Sequence, residues 1–231
     1  MTALEIVLVS LIGVIATVIA VYFLAMWYFK RFVGDQSQEF YLYDNYRVKG
    51  STIFLGDSLT DFYPLEEFFA GENVLNRGIA GDKTTDILAR IKEVQAMHPQ
   101  KLFLQIGIND MIYRGKKKDG EILARVEKIL NSFDKTRTQR YLLSLYPVNR
   151  RKVKFAGFVI KHANNARICR MNERYKALAE RLGVPFIDLY PALTDEKGNL
   201  KSEYTLEGLH LSAEGYRVIT ASLKEYVCEN E

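Results

Sequence analysis

The sequence has few residues of the kinds that form cross-links or metal clusters. Two cysteines, Cys169 and Cys228, lie far apart in the 231 residues, and neither belongs to a CxxC pair. A disulfide scaffold needs several cysteines, and a structural zinc site needs clustered cysteine and histidine ligands. We therefore expect two unpaired thiols and no metal site. A disulfide between the two cysteines stays open, because it depends on a Cα separation that the sequence does not give.

Histidine is also scarce, which limits the residues that can act as a base near neutral pH. The three histidines are His98, His162 and His210. His98 precedes Pro99 at a predicted helix end, which favours a role in ending that helix. His162 lies in a basic stretch and is expected to be solvated. His210 stands on a late loop before the last predicted helix, and it is the candidate base.

Neither sign of charge dominates the sequence. Lysine and arginine number 32 against 28 acidic residues, for a formal net charge of +4, and the basic residues are scattered among the acids. This pattern gives no case for a nucleic-acid partner. Nearly half of the residues are apolar, which suffices for a substantial core and suits one domain plus an appendage.

A long apolar segment lies near the amino terminus. Residues 6–29 contain no charged side chain, and Trp27 and Tyr28 end the run just before Lys30 and Arg31. About 20 apolar residues cross the hydrocarbon layer as a helix, and aromatic and cationic residues are typical of the membrane interface. We therefore predict a transmembrane anchor with its flanks over residues 1–31.

A cleaved signal peptide and a buried core helix are two other interpretations of this segment. A cleaved signal peptide favours a basic amino-terminal region and a shorter apolar stretch, whereas residues 1–5 hold no lysine or arginine. The run also continues past residues 18–20, the one plausible small-residue cleavage site. A buried core helix rarely lacks a polar face over so many turns. Both readings therefore fit less well than an anchor.

The positive-inside rule favours a cytoplasmic catalytic domain. The cationic residues near the span all follow it: Lys30, Arg31, Arg47 and Lys49. Large domains can be exported regardless of local charge, so an extracytoplasmic domain stays open.

The remaining chain alternates between apolar runs of strand length and longer helical patterns. Residues 32–48 read as a linker, and residues 49–231 read as the catalytic domain. Parallel strands with right-handed crossovers follow from the alternation. The sequence thus predicts an α/β fold, a three-layer α/β/α sandwich around a five-stranded parallel sheet, preceded by one transmembrane helix. The predicted strands are Thr52–Leu55, Val74–Asn76, Leu102–Ile106, Tyr141–Leu145 and Pro185–Leu189.

Helices are predicted between these strands from apolar residues at helical spacing. Asp82 is the expected N-cap of the first, Ser212 that of the last, and Gly183 is the expected stop of the third. The four predicted helices cover residues 82–97, 121–133, 170–182 and 213–226.

Three short blocks follow predicted strands, and a fourth precedes the last predicted helix. Ligands of a parallel sheet bind at the carboxyl ends of its strands, so these blocks are the candidates for a site. They are residues 56–59 (GDSL), 76–78 (NRG), 107–110 (GIND) and 207–211 (EGLHL). A serine hydroxyl needs a base to become a nucleophile, and the developing oxyanion needs preorganised donors. Ser58 and His210 supply the first pair. The backbone N–H groups of Ser58 and Gly78 and the side-chain amide of Asn109 supply the donors.

The four blocks in this order resemble the SGNH/GDSL hydrolase family, and more narrowly its branch of platelet-activating-factor acetylhydrolase-like esterases. The resemblance covers residues 49–231. It implies a flavodoxin-like sandwich, an ester-hydrolysing serine, and no metal or organic cofactor. Carried over by position, it makes Ser58 the nucleophile, His210 the base, and Ser58, Gly78 and Asn109 the oxyanion hole.

One residue departs from the family pattern. The family usually has aspartate three residues before the histidine, and this chain has Glu207. Glutamate serves as the third member in other triads, so we expect Glu207 to complete the catalytic set with a less certain bond to His210. Asp188, the next candidate acid, is expected to have a structural role in its loop.

Each candidate residue also has a structural explanation. Ser58 follows glycine and aspartate in a sequence that is common in turns. Asn109 and Asp110 can cap the next segment, and we expect that role for Asp110 but a functional one for Asn109. Residues 149–162 are long for a loop and mix cationic with apolar side chains, which fits either a lid or a solvated loop.

The sequence therefore predicts a serine esterase or acylhydrolase that cleaves carboxylic esters of a lipid or an acylated glycan through an acyl-enzyme on Ser58. An O-acyltransferase that uses the same site is one alternative. A non-catalytic membrane scaffold that retains the fold is another, and the Glu207 departure is its only support.

Overall fold

A computed structural model describes residues 2–44, 52–114, 119–152 and 163–228. The chain forms two compact units, residues 1–44 and residues 45–231. The second unit carries the predicted site and is described first. The predicted loop of residues 149–162 is described only to residue 152, so its role as a lid stays a prediction.

The second unit contains a five-stranded parallel sheet, as predicted. The strands pair in the order β2-β1-β3-β4-β5. The five predicted strands are all present, with ends that differ by at most two residues. They are β1 Thr52–Gly56, β2 Val74–Gly78, β3 Lys101–Gln105, β4 Gln139–Leu143 and β5 Phe186–Ile187.

Helices connect the strands and cover the sheet. The longer ones are α7 (Asp119–Asn131), α8 (Asn165–Leu182) and α10 (Ala213–Val227). The short ones are α2 (Ser58–Asp61), α3 (Leu65–Phe68), α4 (Thr84–Ala89), α5 (Ile91–Ala96), α6 (Ile108–Arg114) and α9 (Tyr190–Leu193). Gly183 ends α8 with φ +63°, and the Ser212 side chain accepts from the Gly215 N–H at the start of α10. Both predicted boundaries are therefore confirmed.

The prediction of one helix over residues 82–97 was wrong in two details. Asp82 is not the N-cap: α4 begins after Lys83, whose N–H donates to the Asp86 carboxylate at 2.9 Å. The Asp82 carboxylate instead accepts from Arg90 Nε at 2.8 Å. Arg90 separates α4 from α5, with a non-helical backbone at φ −106° and ψ 11°. Its guanidinium also reaches the carbonyls of Gly56 and Arg77.

A row of stacked aromatic rings forms the core on one face of the sheet. Phe54, Phe103 and Tyr141 are neighbours in register, with ring centroids 4.7 and 4.5 Å apart. Tyr63 packs against Phe54 and stacks on Tyr216 of α10 at 4.8 Å. These contacts hold the segment after β1 against the last helix.

Strand order explains where the functional loops meet. The chain moves outward from β1 to β2 and then returns past β1 to β3, so the order reverses between β1 and β3. Ligands of such sheets bind at the carboxyl ends of the strands beside this reversal. The loops after β1 and β3 carry Ser58 and Asn109.

The first unit is a single helix, α1 (Ala3–Asp44). Residues 3–27 have a mean hydropathy of 2.8 and are long enough to cross a membrane. Both a membrane span and a signal sequence near the amino terminus meet this description. The helix continues through residues 32–44, where the sequence lacked periodicity and indicated a linker, while residues 45–51 lie outside the described part. The domain boundaries stay predictions.

Candidate active site

The serine lies on a sharp turn from strand to helix. Ser58 begins α2 directly after β1, and Asp57 caps that helix by accepting from the Leu59 N–H at 3.0 Å. A Cβ at Gly56 would lie 2.1 Å from Thr60 Oγ1 and 2.4 Å from the Gln105 carbonyl oxygen. The turn therefore requires glycine at residue 56, and it presents the Ser58 hydroxyl at the carboxyl edge of the sheet.

Ser58 and His210 meet although 152 residues separate them. Ser58 Oγ lies 2.9 Å from His210 Nε2. The loop that carries the histidine is fixed at its backbone, because the His210 carbonyl accepts from Thr205 Oγ1 at 2.8 Å and from the Leu206 N–H at 3.2 Å. The imidazole is thus held against the serine before any substrate arrives.

Glu207 holds the other side of the imidazole. Its Oε1 lies 2.6 Å from His210 Nδ1 and accepts from the His210 backbone N–H at 3.1 Å. A carboxylate accepts hydrogen bonds, so this contact places the ring proton on Nδ1 and leaves the Nε2 lone pair toward Ser58. The extra methylene of glutamate does not prevent the contact, and the side chain stays half-exposed.

The amide of Gly78 is already engaged. Its N–H donates to Asn76 Oδ1 at 2.9 Å, so it is not free to reach an oxyanion. A Cβ at this position would lie 2.1 Å from the Asp61 backbone nitrogen. In this structure Gly78 lets β2 pack closely on α2, which is a structural role that differs from the predicted one.

Gly81 offers a better-placed amide that the sequence analysis missed. It has φ +88°, and nothing lies within 4 Å of a Cβ built there. Among the described residues its N–H has no hydrogen-bond acceptor. The backbone carbonyl of the next residue, Asp82, accepts from Asn109 Nδ2 at 2.9 Å, which brings Gly81 close to the buried Asn109 amide. The Ala-Gly-Asp sequence before α4 was the available signal.

Three buried carboxyl groups, those of Asp57, Asp82 and Asp110, lie close enough to one another to interact electrostatically. Burial raises the pKa of Asp57 to about 7, and the Leu59 N–H opposes part of that rise. Burial also raises the pKa of Asp82, to about 6, against the lowering effect of Arg90. Asp110 is fully buried and accepts from the Thr84 N–H and hydroxyl at 2.8 Å. This bond to Thr84 agrees with the structural role expected for Asp110.

The remaining sequence candidates that the structure describes have no hydrogen bond to Ser58 or His210. Asp188 accepts from the Tyr190 N–H at 3.1 Å, a local turn contact. His98 follows α5 with φ +50° and lines a separate cavity of about 430 Å³ near the start of β4. His162 lies outside the described residues. Within the described part, no three His, Cys, Asp or Glu side chains are grouped to hold a metal ion.

Known protein sequences resemble this chain over most of its length. Residues 54–218 match the model of the GDSL-like Lipase/Acylhydrolase family. The platelet-activating factor acetylhydrolase IB subunit alpha1 of Bos taurus is 26% identical over 202 residues, which are 84% of this chain and 78% of that protein. The N-acylneuraminate cytidylyltransferase of Escherichia coli O18:K1:H7 is 30% identical over 178 residues, 75% of this chain. The chain spans only 39% of that enzyme's length.

Solved structures share the fold. A candidate platelet activating factor from Streptococcus pneumonia is 34% identical, with a TM-score of 0.76 over 91% of this chain and 99% of that one. A GDSL-like lipase from Bacteroides thetaiotaomicron is 22% identical, with a TM-score of 0.72 over 82% of this chain and 96% of that one. The second likeness shows the fold alone.

Proposed function

The chain belongs to the GDSL-like lipase/acylhydrolase family and is an ester-hydrolysing enzyme, and from this premise we propose that it acts on carboxylic esters through an acyl-enzyme on Ser58. The observation that carries the proposal is the 2.9 Å contact between Ser58 Oγ and His210 Nε2. A serine hydroxyl becomes nucleophilic when a base within hydrogen-bond distance accepts its proton.

In the first half of the reaction, Ser58 Oγ attacks the ester carbonyl while His210 Nε2 takes the hydroxyl proton. The tetrahedral intermediate collapses, the bond to the alcohol oxygen breaks, and His210 gives that oxygen the proton. In the second half, His210 takes a proton from water, and the resulting attack releases the acid and restores the Ser58 hydroxyl. Each proton that the imidazole accepts is returned within the same half-reaction.

Glu207 is proposed as the positioning acid. Its contact with Nδ1 keeps the ring in the tautomer that accepts at Nε2, and its negative charge stabilises the imidazolium that forms during attack. The bond that Glu207 accepts from the His210 backbone fixes the carboxylate itself. This contact argues against the scaffold alternative, whose only support was the replacement of aspartate by glutamate.

The oxyanion donors are proposed to be the N–H groups of Ser58 and Gly81 and the side-chain amide of Asn109. Among the described residues the first two have no acceptor, and Asn109 Nδ2 retains a second hydrogen after its bond to Asp82. Donors of this kind typically contribute about 10²–10³ each in kcat. Gly78 is set aside for this role because Asn76 occupies its amide.

A lipid or acylated-glycan ester is proposed as the substrate. The family that matches this chain is described as one of lipases and acylhydrolases, which favours a lipid ester. The apolar helix of residues 3–27 is proposed to anchor the enzyme in a bilayer, where such esters are concentrated. The cationic residues that follow this segment in the sequence favour a cytoplasmic catalytic unit.

The test is turnover of p-nitrophenyl acetate by the full chain. Ser58→Ala should lower kcat by about 10⁴-fold or more, because it removes the attacking oxygen. Ser132→Ala is the matched control, since its hydroxyl bonds the Ile129 carbonyl near the starts of β3 and β4, and it should retain wild-type turnover. Equal rates in wild type and Ser58→Ala would eliminate the proposed mechanism.

A further inference from the structure

Two exposed apolar residues of the catalytic unit each contact the catalytic histidine, one through its ring and one through its backbone. Outside the N-terminal helix, the described residues include two exposed large apolar side chains, Phe62 at 52% and Leu206 at 71%. Single exposed apolar residues are ordinary on a protein surface. Here, however, both adjoin His210.

Phe62 lies directly against the imidazole. Its ring centroid is 5.2 Å from that of His210, with the two planes inclined at 57°. The Phe62 N–H donates to the Ser58 carbonyl oxygen at 3.1 Å, so its backbone is fixed to the serine turn. The ring therefore has a defined position beside the base, and half of its surface is still available for contact.

Leu206 adjoins the same histidine from its own loop. Its N–H donates to the His210 carbonyl oxygen at 3.2 Å, and it immediately precedes Glu207. The loop is closed by the bridge between Thr205 and Leu211, so Leu206 is fixed in backbone although its side chain is exposed. We call Phe62 and Leu206 together the apolar collar.

The chemistry assigns one half of the substrate to this place. His210 must give a proton to the departing alcohol oxygen, which therefore lies within about 3 Å of Nε2. The carbonyl oxygen must instead meet the amide donors of Ser58, Gly81 and Asn109. The group attached to the alcohol oxygen thus leaves the site beside the imidazole, where the apolar collar lies.

Resting on the function proposed above, we propose that the apolar collar binds the alcohol portion of the ester and selects alcohols that carry a hydrocarbon chain. Contact with Phe62 removes apolar surface of both ring and chain from water, which favours a longer alcohol over a short one.

The test compares two isomeric esters of equal composition, hexyl acetate and ethyl hexanoate, with ethyl acetate as the short reference. The full chain is assayed in detergent, and every ester is kept below its solubility limit. Phe62→Ala should lower kcat/KM for hexyl acetate about tenfold relative to ethyl acetate, a loss in the range of a lost apolar contact. The ratio of ethyl hexanoate to ethyl acetate should stay unchanged. Leu206→Ala should act in the same direction with a smaller effect.

The control is Phe68→Ala, the same replacement on a ring that contacts Tyr63 rather than His210. It should leave both ratios unchanged, and Phe62→Leu should restore most of the preference for hexyl acetate. Equal losses on all three esters, or a loss confined to ethyl hexanoate, would overturn the assignment while the Ser58 mechanism stands. Absence of Ser58-dependent turnover of every ester would overturn the proposed function and this assignment with it.

Discussion

Glu207 reaches His210 with a side chain one methylene longer than the aspartate usual in SGNH/GDSL hydrolases. It does so by a local fold-back across three residues, with one oxygen shared between Nδ1 and the His210 backbone N–H. Because the Glu207 side chain is half-exposed, water competes for its carboxylate more than for a buried acid. The contact is therefore set by loop geometry as much as by charge.

Replacing Glu207 by glutamine tests that contact. A neutral amide does not stabilise the imidazolium and can favour the wrong tautomer, so Glu207→Gln should lower kcat by about 10²-fold or more. The measurement is kcat against pH for a soluble ester. Glu203→Gln, on an exposed residue of the same loop region, should behave as wild type. Unchanged turnover in Glu207→Gln would leave a serine–histidine pair without an acid.

The buried Asp57 carboxyl predicts a pH-dependent stability. The folded chain holds this proton up to about pH 7, whereas an unfolded aspartate loses it near pH 4. The native state therefore binds more protons over this window, and stability falls as pH rises through it, by up to about 4 kcal/mol.

Asp57→Asn keeps the oxygen that caps α2 and removes the titration. It should flatten the fall in thermal midpoint between pH 5 and pH 8 and should stabilise the chain at pH 8. Asp188→Asn, which alters an exposed carboxylate, is the control. A wild-type slope retained in Asp57→Asn would show that Asp57 is not the group responsible.

At this scale the sequence indicated Ser58, His210, Glu207 and Asn109, because each stands in a short block at a recognisable place. It indicated Gly78 as a backbone donor and missed Gly81. The proposed choice of Gly81 depends on which amide already has an acceptor and on a φ of +88°, and residue types alone give neither quantity.

Among the elements, β2 and α2 approach closely at Gly78, because glycine has no side chain to separate them. A methyl group at Gly78 would meet the backbone of residues 60 and 61 at 2.1–2.7 Å, and backbone atoms cannot move aside as a flexible side chain does. At Gly81 the same methyl group would meet open space, so the cost there is limited to the strain of a positive φ.

A pair of variants separates the two glycines. Gly78→Ala should destabilise the chain by about 3 kcal/mol or more, because strand and helix must separate. Gly81→Ala should cost about 1–2 kcal/mol and lower kcat about 10- to 100-fold, since it disturbs the proposed oxyanion donor. Thermal unfolding and ester turnover are measured on both. Wild-type kcat in a folded Gly81→Ala would remove Gly81 from the oxyanion hole.

The order of the five strands and of the longer helices in the catalytic unit was predictable, whereas several boundaries and the short helices were not. Apolar runs located all five strands because both faces of the sheet are covered. The break at Arg90 was missed because buried apolar residues keep helical spacing on both sides of it. The helical state of residues 32–44 was missed because no apolar periodicity marks it.

On the scale of the whole molecule, the chain combines an apolar helix long enough to span a membrane with a catalytic unit. Attachment to a bilayer is the role proposed for the helix, on its length and composition. The side of the membrane depends on the few cationic residues next to the span, which can be tested through an exposed thiol on the catalytic unit.

Cys169 provides that probe because it is exposed. In a Cys228→Ser background, a membrane-impermeant maleimide should label Cys169 only after intact cells are permeabilised, since the positive-inside rule places the catalytic unit in the cytoplasm. Adding Cys169→Ser supplies the background signal. Labelling of intact cells to the same extent would place the unit outside, and recovery of the chain in the soluble fraction would contradict the anchor.

The proposed mechanism requires that one serine, activated by one histidine, carries the reaction. This is tested by mass spectrometry of the chain after exposure to a fluorophosphonate, which reacts with an activated serine. We expect a single adduct on Ser58 that is lost in Ser58→Ala and strongly reduced in His210→Ala. Ester turnover by a wild-type chain that carries no adduct on Ser58, or carries it on another residue, would show that Ser58 is not the nucleophile.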